Sequence, residues 1–501
     1  MSEREELTIP GLQSFLRIER ENRPHLARPL NESNPEVLGI NVPATFPCLH
    51  DGNSAEFLSH RSIEEPPFGF LRVITAAREQ GVKAMFMDAH KLGLSLGEII
   101  HQIAVLKPSS IALNPTSVNL QEASVISQQA RAIGIPVILG GVHATLDSDR
   151  ALLIPGVRAV IRGHGEKVLP QVVKALLNQE KTEIPGVSTE EYCSHDFAET
   201  MPLEDVPLID PSIWLEKPLS RYETTVWGEK RIITQAEVYF TRSCPYGCSF
   251  CASSALNPER SFVRPSMKRL VAEIKLNLAI GADALHILDD NVVLNQTHLG
   301  EVSEALREAE ISDLVWKGLS RVGTLKGFDN AGYDLLKKSG CYHLAIGFES
   351  GNKELLRRMR KGFEPSDAMT VAQELASRKI GFKGMFIIGS PLETEQQIKE
   401  TIEMIFRLQE AGMTDLAVFQ WKPYPGTEDT AFLCAQKPEF AHILASQIED
   451  YQSVQAGEAG SMLAYRTTHD KYLPDNWPPI SELPNNEIRQ LIEEIYRKFY
   501  S

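Results

Sequence analysis

Hydrophobic positions along this chain fall into two successive series of short apolar runs, each run followed by a stretch with helical spacing. In the first series Glu36–Ala44, Lys83–Asp88, Ser110–Asn114, Pro136–Gly140 and Arg158–Arg162 read as strands. Phe70–Gln80, Leu96–Val105, Leu120–Ala132 and Glu166–Leu177 have helical composition and spacing. Near-continuous apolar strands alternating with helices are what a parallel sheet covered on both faces requires. Residues 36–180 are therefore expected to form a doubly wound, five-stranded α/β domain.

The second series places strands at Ala236–Phe240, Ala284–Leu288, Val315–Leu319, Leu344–Phe348, Gly384–Ile388 and Leu416–Gln420. Helical segments near 266–279, 297–310, 329–339, 366–379 and 395–411 separate them. Six such repeats are too few for a closed eightfold barrel, so an open partial (β/α)6 barrel is expected over residues 236–430. Between the two series, residues 181–235 carry Pro185, Pro202, Pro207, Pro211 and Pro218 with little periodicity, which suits a linker. Residues 1–35 are polar and aperiodic, an N-terminal arm, and residues 431–501 form a helical C-terminal region ending in Asn486–Phe499.

At 501 residues the chain has room for about three domains at roughly 150 residues each. Its 51 Lys and Arg against 66 Asp and Glu leave a net charge of −15. That excess argues against nucleic acid as a main partner, because phosphate binding needs a dense basic face. No apolar run approaches a bilayer span, and Met-Ser-Glu-Arg-Glu-Glu-Leu lacks the cationic-then-apolar order of a signal peptide. A cytoplasmic protein without a membrane partner is expected.

Seven cysteines are an odd number, and with no sign of export a disulfide framework is not expected. Cys48, Cys193, Cys341 and Cys434 stand singly and read as small buried hydrophobes. Cys244, Cys248 and Cys251 instead lie together, in the loop after the first strand of the second series. Thiolates at i, i+4 and i+7 can converge on one iron–sulfur cube. Zinc would want a fourth protein ligand, and no His or Cys follows at a usual zinc spacing. Three cysteines on a [4Fe–4S] cluster leave one iron open to a small chelating molecule.

The Cys-x3-Cys-x2-Cys motif after the first strand of a partial barrel resembles the radical S-adenosylmethionine superfamily. The resemblance implies that the open iron is chelated by S-adenosylmethionine, whose reductive cleavage yields a 5′-deoxyadenosyl radical. It also implies an external electron donor such as flavodoxin or ferredoxin. Phe250 stands where the family places an aromatic residue near the adenine. Later strands end in polar runs, as the reactive face of a βα barrel requires. These are Asp289-Asp290-Asn291, Ser320-Arg321, Glu349-Ser350-Gly351, Gly389-Ser-Pro391-Leu-Glu393, Gln420 and Lys422-Pro-Tyr-Pro-Gly426-Thr427. By resemblance, Glu349 and Ser320 or Arg321 hold the ribose or methionine ends of the cofactor. Asp289 takes its amino group, and Gly389 and Gln420 line the same site. The family's Gly-Gly-Glu is replaced here by Asp289-Asp290-Asn291, an Asp-rich variant common in cobalamin-associated members.

In the first domain ligands are expected beyond the carboxyl ends of the strands. Asp88-Ala-His90-Lys-Leu-Gly93, Gly140-Gly141-Val-His143-Ala-Thr145 and Gly163-His-Gly165-Glu166 crowd that edge. A domain of this pattern directly before a radical domain resembles the module of cobalamin-dependent radical S-adenosylmethionine enzymes. The joint resemblance covers about residues 36–430. It implies a cobalamin pocket lined by Asp88, Gly140, Gly141, His143, Gly163 and Glu166. Asp88-x-His90-x-x-Gly93 also spells the motif by which some cobalamin proteins supply a histidine to cobalt. Its usual Ser-x-Leu companion is absent, Ile111-Ala-Leu113 being the only aligned candidate. No Gly-x-Gly-x-x-Gly follows the first strand, which disfavours a dinucleotide.

The implied activity is methylation of an unactivated carbon, or of a phosphinate phosphorus, in a small molecule, with ring closure or ring contraction as the rival. Transfer of methylthio groups to tRNA is disfavoured by the acidic chain and by the lack of a further cysteine set upstream.

Overall fold

The computed structural model describes residues 34–43, 67–116, 119–209, 219–444, 473, 475 and 477–501. The expected N-terminal arm, Asn34 and Pro35 excepted, and Cys48 lie outside these residues. The chain divides into two compact units, Met1–Met201 and Pro202–Ser501.

In the first unit β1 (Val37–Asn41), β2 (Ala84–Asp88), β3 (Ile111–Leu113), β4 (Val137–Leu139) and β5 (Val157–Ile161) pair in parallel. Helices α1 (Phe68–Glu79), α2 (Leu96–Leu106), α3 (Leu120–Ala132), α4 (Gly141–Leu146), α5 (Ser148–Leu152) and α6 (Leu169–Asn178) connect or follow them. The order is β2-β1-β3-β4-β5, so the winding reverses between β1 and β3, where such sheets open a ligand crevice. All five expected strands are present. A sixth, β6 (Val187–Ser188), adds antiparallel to β5; at two residues it is too short to leave a pattern. Helix α2 starts on a capping box in which Ser95 and Glu98 satisfy each other's backbone N–H.

The second unit holds a seven-stranded sheet. Strands β8 (Glu229–Val238), β9 (Ala284–Ile287), β10 (Val315–Arg321), β11 (Cys341–Glu349), β12 (Gly381–Ile388) and β13 (Asp415–Gln420) run parallel in sequential order. Its helices are α7 (Ala252–Leu256), α8 (Met267–Ala279), α9 (Gln296–Glu308), α10 (Val322–Leu325), α11 (Asn330–Lys338), α12 (Lys353–Arg358), α13 (Pro365–Ser377), α14 (Glu395–Glu410), α15 (Glu428–Gln436) and α16 (Asn485–Phe499). This is the expected open partial barrel, with Phe348, Phe382 and Phe386 fully buried in its core.

One expectation is corrected. The stretch 181–235, read as a linker, contains β6, the strand β7 (Ser220–Val226) and most of β8. β7 and β8 form an antiparallel hairpin whose two-residue turn is Trp227-Gly228, with φ of +50° and +86°. Positive φ at both positions is the turn that matches strand twist, normally signalled by Asn-Gly. Tryptophan at the first position hides that signal, and its Nε1 is tied to the Cys341 carbonyl at 2.7 Å.

The opposite edge of the sheet is closed by side chains. β13 would expose a row of backbone N–H groups, a template for unwanted pairing. The hydroxyls of Tyr496 on α16 and of Tyr500 just after it accept from Val418 N at 2.9 Å and Leu416 N at 3.1 Å. Replacing Tyr496 with Phe should therefore lower stability by about 1–3 kcal/mol, the cost of an unsatisfied buried donor. Urea unfolding checks this, and an unchanged midpoint would show that water replaces the hydroxyl.

Candidate functional site

The cysteine loop is braced by hydrogen bonds within itself and to neighbouring segments. Ser243, just before it, adopts φ +66° and turns the chain out of the sheet. Asn257 is buried and its Nδ2 donates to the carbonyls of Cys244 at 3.3 Å and Ser261 at 2.7 Å. Cys251 N donates to Cys248 O at 3.2 Å, Ser254 Oγ donates to Tyr246 O, and Ser249 is bonded to Met359 O and Asp429 N through its backbone. The loop is thus tied to the segments after β11 and β13.

Burial pushes the Cys244 thiol up to about 11 and also raises Cys251, each further raised by the nearby Cys248. Metal binding must therefore release protons here. Among the described residues the three sulfurs do not all lie within 4.8 Å of one another, the crowding a single tetrahedral ion would need. A cubane spans a wider triangle.

Polar groups without partners stand at the ends of β9 and β10, and one of them reaches this loop. Arg321, at the end of β10, lies over the Tyr246 ring at 3.6 Å and donates through Nη2 to Lys361 O at 3.0 Å. Its Nε and Nη1, together with Ser320 Oγ and Asn291 Oδ1, are buried without a hydrogen bond among the described residues. Such orphans are costly unless a ligand completes them. These residues and the thiol trio fit an iron–sulfur cluster with a polar chelating ligand.

Glu349 ends β11 in a left-handed conformation, φ +64°. Its Oε1 accepts from Lys361 Nζ at 2.8 Å, with both side chains almost wholly buried. The pair lies over Gly347, where an added Cβ would sit 2.4 Å from Glu349 Oε1. Lys361 also stands 6.0 Å from the centre of the Phe250 ring. Phe250 packs beside Trp421, Leu433, Phe440, Leu473 and Ile480, which cover this side of the loop with apolar surface.

Other anticipated residues are occupied within the chain. Asp289 accepts from Phe240 N at 2.7 Å and Thr241 N at 3.2 Å, bracing the strand exit before the cysteines. Its neighbour Asp290 is the carboxylate whose charge raises Cys244. Gln420 accepts from Leu473 N at 2.7 Å and donates to Asn485 Oδ1 at 3.3 Å, so it ties β13 to the C-terminal region. Gly389, φ +84°, donates to Glu393 Oε2 at 2.7 Å and Ser390 N does so at 2.9 Å. Lys361, Tyr246, Asn257 and Asp429 were not singled out from sequence. Only their density of charge and amide groups close to the cysteines could have drawn attention.

In the first unit the glycine-bearing exits are joined. Gly141 has φ +85°, and a Cβ there would lie 1.6 Å from Asn114 Oδ1. Gly163 has φ +96° and faces Phe197. Thr145 Oγ1 donates to Gly141 O at 2.7 Å and accepts from Gly163 N at 2.9 Å. His143 is buried and is held neutral, its pKa lowered to about 4 by burial and then by Arg150. Asp88 Oδ1 accepts from Asn41 Nδ2 and Lys91 N. Gly140 precedes α4 in extended conformation, His90 N is bonded to Asn41 O, and Glu166 is buried beyond β5. At Gly141 and Gly163 positive φ and the close approach of Asn114 and Phe197 require glycine, whereas at Gly140 an added Cβ would meet only Ile161 O at 4.0 Å, which leaves room for a group beside the β4 exit.

Residues 58–173 match the family model of the B12 binding domain, and residues 238–405 that of the radical SAM superfamily. An uncharacterized methyltransferase of Pyrococcus horikoshii is 27% identical over 372 residues, which is 72% of this chain and 77% of that protein. The anaerobic magnesium-protoporphyrin IX monomethyl ester cyclase of Cereibacter sphaeroides is 27% identical over 58% of this chain, but this chain spans only 47% of its length. Among solved structures, the radical S-adenosylmethionine methyltransferase TsrM of Kitasatospora setae, with cobalamin and a [4Fe–4S] cluster bound, shares the fold. It aligns with a TM-score of 0.58 and 18% identity, covering 80% of this chain and 74% of that one.

Two expectations follow. Changing Lys361 to Met leaves the Glu349 carboxylate buried and alone, which should cost about 3–5 kcal/mol, and adding Glu349→Gln should recover part of it. Urea unfolding of the single and double variants measures this; equal losses would place the pair in water. Burial pushes the Glu393 carboxyl up to about 7, from the 4.5 of an ordinary glutamate. The folded state then holds the extra proton, so this group's contribution is full below pH 4.5 and is lost as pH rises through 7. Glu393→Gln should therefore gain stability over the native chain above pH 7 and show no such gain near pH 4.5, as read by denaturation at a series of pH values.

Proposed function

We propose that this chain, a member of the cobalamin-dependent radical S-adenosylmethionine enzymes, methylates an unactivated carbon or a phosphinate phosphorus of a small molecule. The observation that carries the reading is one chain holding both a three-thiol loop with the partly unsatisfied Arg321 guanidinium stacked on its Tyr246 and a doubly wound sheet with Gly140, Gly141 and Gly163 at its strand exits. Bound there, the cluster and S-adenosylmethionine supply a hydrogen-abstracting 5′-deoxyadenosyl radical, and cobalamin carries the methyl group.

The chain's own part is to hold, orient and shield. Cys244, Cys248 and Cys251 hold the cluster. Arg321 and Ser320 present open hydrogen-bonding atoms to the polar ends of S-adenosylmethionine, and the buried Lys361–Glu349 pair fixes charge beside them. Phe250 and the apolar residues around it keep water from a reactive radical. In the first unit Gly140, Gly141, Gly163 and the neutral His143 line the cobalamin edge, with Asp88 and Glu166 at its margins.

The domain limits that go with this reading are 36–180 for cobalamin and 236–430 for the radical site. An external flavodoxin-like or ferredoxin-like donor supplies electrons, and the chain acts in the cytoplasm without nucleic acid. No described helix is long and apolar enough to cross a membrane. The resemblance to a cyclase supports a rival reading with the same cofactors and no methyl transfer.

Anaerobic reconstitution with iron, sulfide and hydroxocobalamin should give a chain that retains cobalamin bands and cluster absorption after desalting. Cys251→Ala should lose the cluster and all 5′-deoxyadenosine formation while keeping cobalamin. With a methyl acceptor, S-adenosylhomocysteine and 5′-deoxyadenosine should appear in equal amounts. Deoxyadenosine alone would support the cyclase reading, and a chain that retains neither cofactor would overturn both.

A further inference from the structure

Cys193 was expected to be buried, yet it is exposed. It lies in the turn after β6, and its Sγ is 3.8 Å from Asp149 Oδ1 on α5. His195 completes a group in which one donor atom from each of the three residues lies within 4.8 Å of the others. We propose that Asp149, Cys193 and His195 bind a zinc-class divalent cation, at a site separate from the cysteine loop of the second unit.

Three arguments carry this. The first is donor chemistry: thiolate, imidazole and carboxylate together suit zinc better than magnesium or calcium, which take oxygen ligands. The second is distance. Bonds of about 2.3 Å to sulfur and about 2.1 Å to oxygen at a tetrahedral angle separate the two ligand atoms by about 3.6 Å. The observed Sγ–Oδ1 separation of 3.8 Å needs almost no adjustment.

The third is pre-organisation. Ser194, between the two outward donors, is buried. Its hydroxyl accepts from Gly186 N at 2.8 Å, and its N–H donates to Ser188 Oγ at 3.1 Å. In an extended segment the residues on either side of an inward side chain share the outer face. Arg162 fixes the next carbonyl by donating to His195 O, and Thr189 N is tied to Tyr192 O at 2.7 Å. The turn is thus pinned by its backbone while Cys193 and His195 project together. Arg150 is taken up by Asp147 at 3.3 Å, and Asp149 makes no ion pair among the described residues. Three protein donors leave a fourth position for water, and the cation would staple the 189–195 turn to α5.

The test uses the full chain loaded with cluster and cobalamin, equilibrated with zinc and freed of weakly held metal. Elemental analysis should find one zinc per chain with iron undiminished, and X-ray absorption at the zinc edge should show one sulfur neighbour at about 2.3 Å. Cys193→Ser and His195→Ala should each weaken zinc binding at least as much as the roughly 10–100-fold typical of losing an outer-shell partner. Iron and cobalamin contents should stay as in the native chain, which also reports that the variants fold. Absence of zinc, equal zinc in the variants, or zinc gained only at the expense of iron would overturn the proposal.

Discussion

Three thiols in one loop, Cys248 buried and Cys244 and Cys251 half-buried, form an arrangement that an apolar setting alone does not reward. Burial keeps Cys244 and Cys251 protonated, and Cys248 beside them makes ionisation harder still. Only a strongly bound cation compensates for deprotonating such a group. The rest of the second unit is organised around holding this loop in place: Asn257 clamps it from behind and Tyr246 carries the Arg321 guanidinium. From the α15 side the Asp429 N–H reaches its Ser249 carbonyl. Burial raises the Asp429 carboxyl despite Ser249, Arg358 and Trp421 around it, so it too is a group kept in place by neighbours rather than by water.

The strand and helix series were readable because parallel sheets bury both faces and so write continuous apolar runs into the sequence. The same reasoning fails where a strand is covered on one side or is very short. β7 alternates in burial but is polar at most positions, so it leaves a faint apolar pattern, and the hairpin turn carries a tryptophan where the usual signal is asparagine. β6 has two residues. The three cysteines were readable since their spacing is itself chemistry. Which acidic residue serves a ligand was not, because Asp289 and Asp290 are adjacent and only the fold decides. Asp289 accepts two backbone N–H groups, while Asp290 faces Cys244.

A recurring feature separates polar residues whose hydrogen bonds are completed within the chain from polar residues whose hydrogen bonds are not. Gln420, Glu393 and Asp289 each accept from backbone donors and so complete loops that would otherwise be unsatisfied. Ser320, Asn291 and two nitrogens of Arg321 do not. In sequence both groups look alike, as polar residues at strand ends. In structure the distinction is whether hydrogen-bonding capacity remains; at the exits of β9 and β10 it remains on Asn291, Ser320 and Arg321, and after β12 on Ser390 and the second oxygen of Glu393.

That distribution bears on what the enzyme must do. A radical able to abstract hydrogen from an unactivated carbon would react with any nearby weak bond, so rigid placement matters more than additional acid–base groups. The second unit supplies rigidity by burying the Lys361–Glu349 pair, which is worth little for net stability but has a single geometry in which both charges are satisfied. Glu349 accepts a left-handed backbone to reach it, and Gly347 leaves out a side chain to make room. Strain and an expensive ion pair at the same strand end are hard to explain as packing. They are what a site needs when its reagent is unselective and selectivity has to come from position.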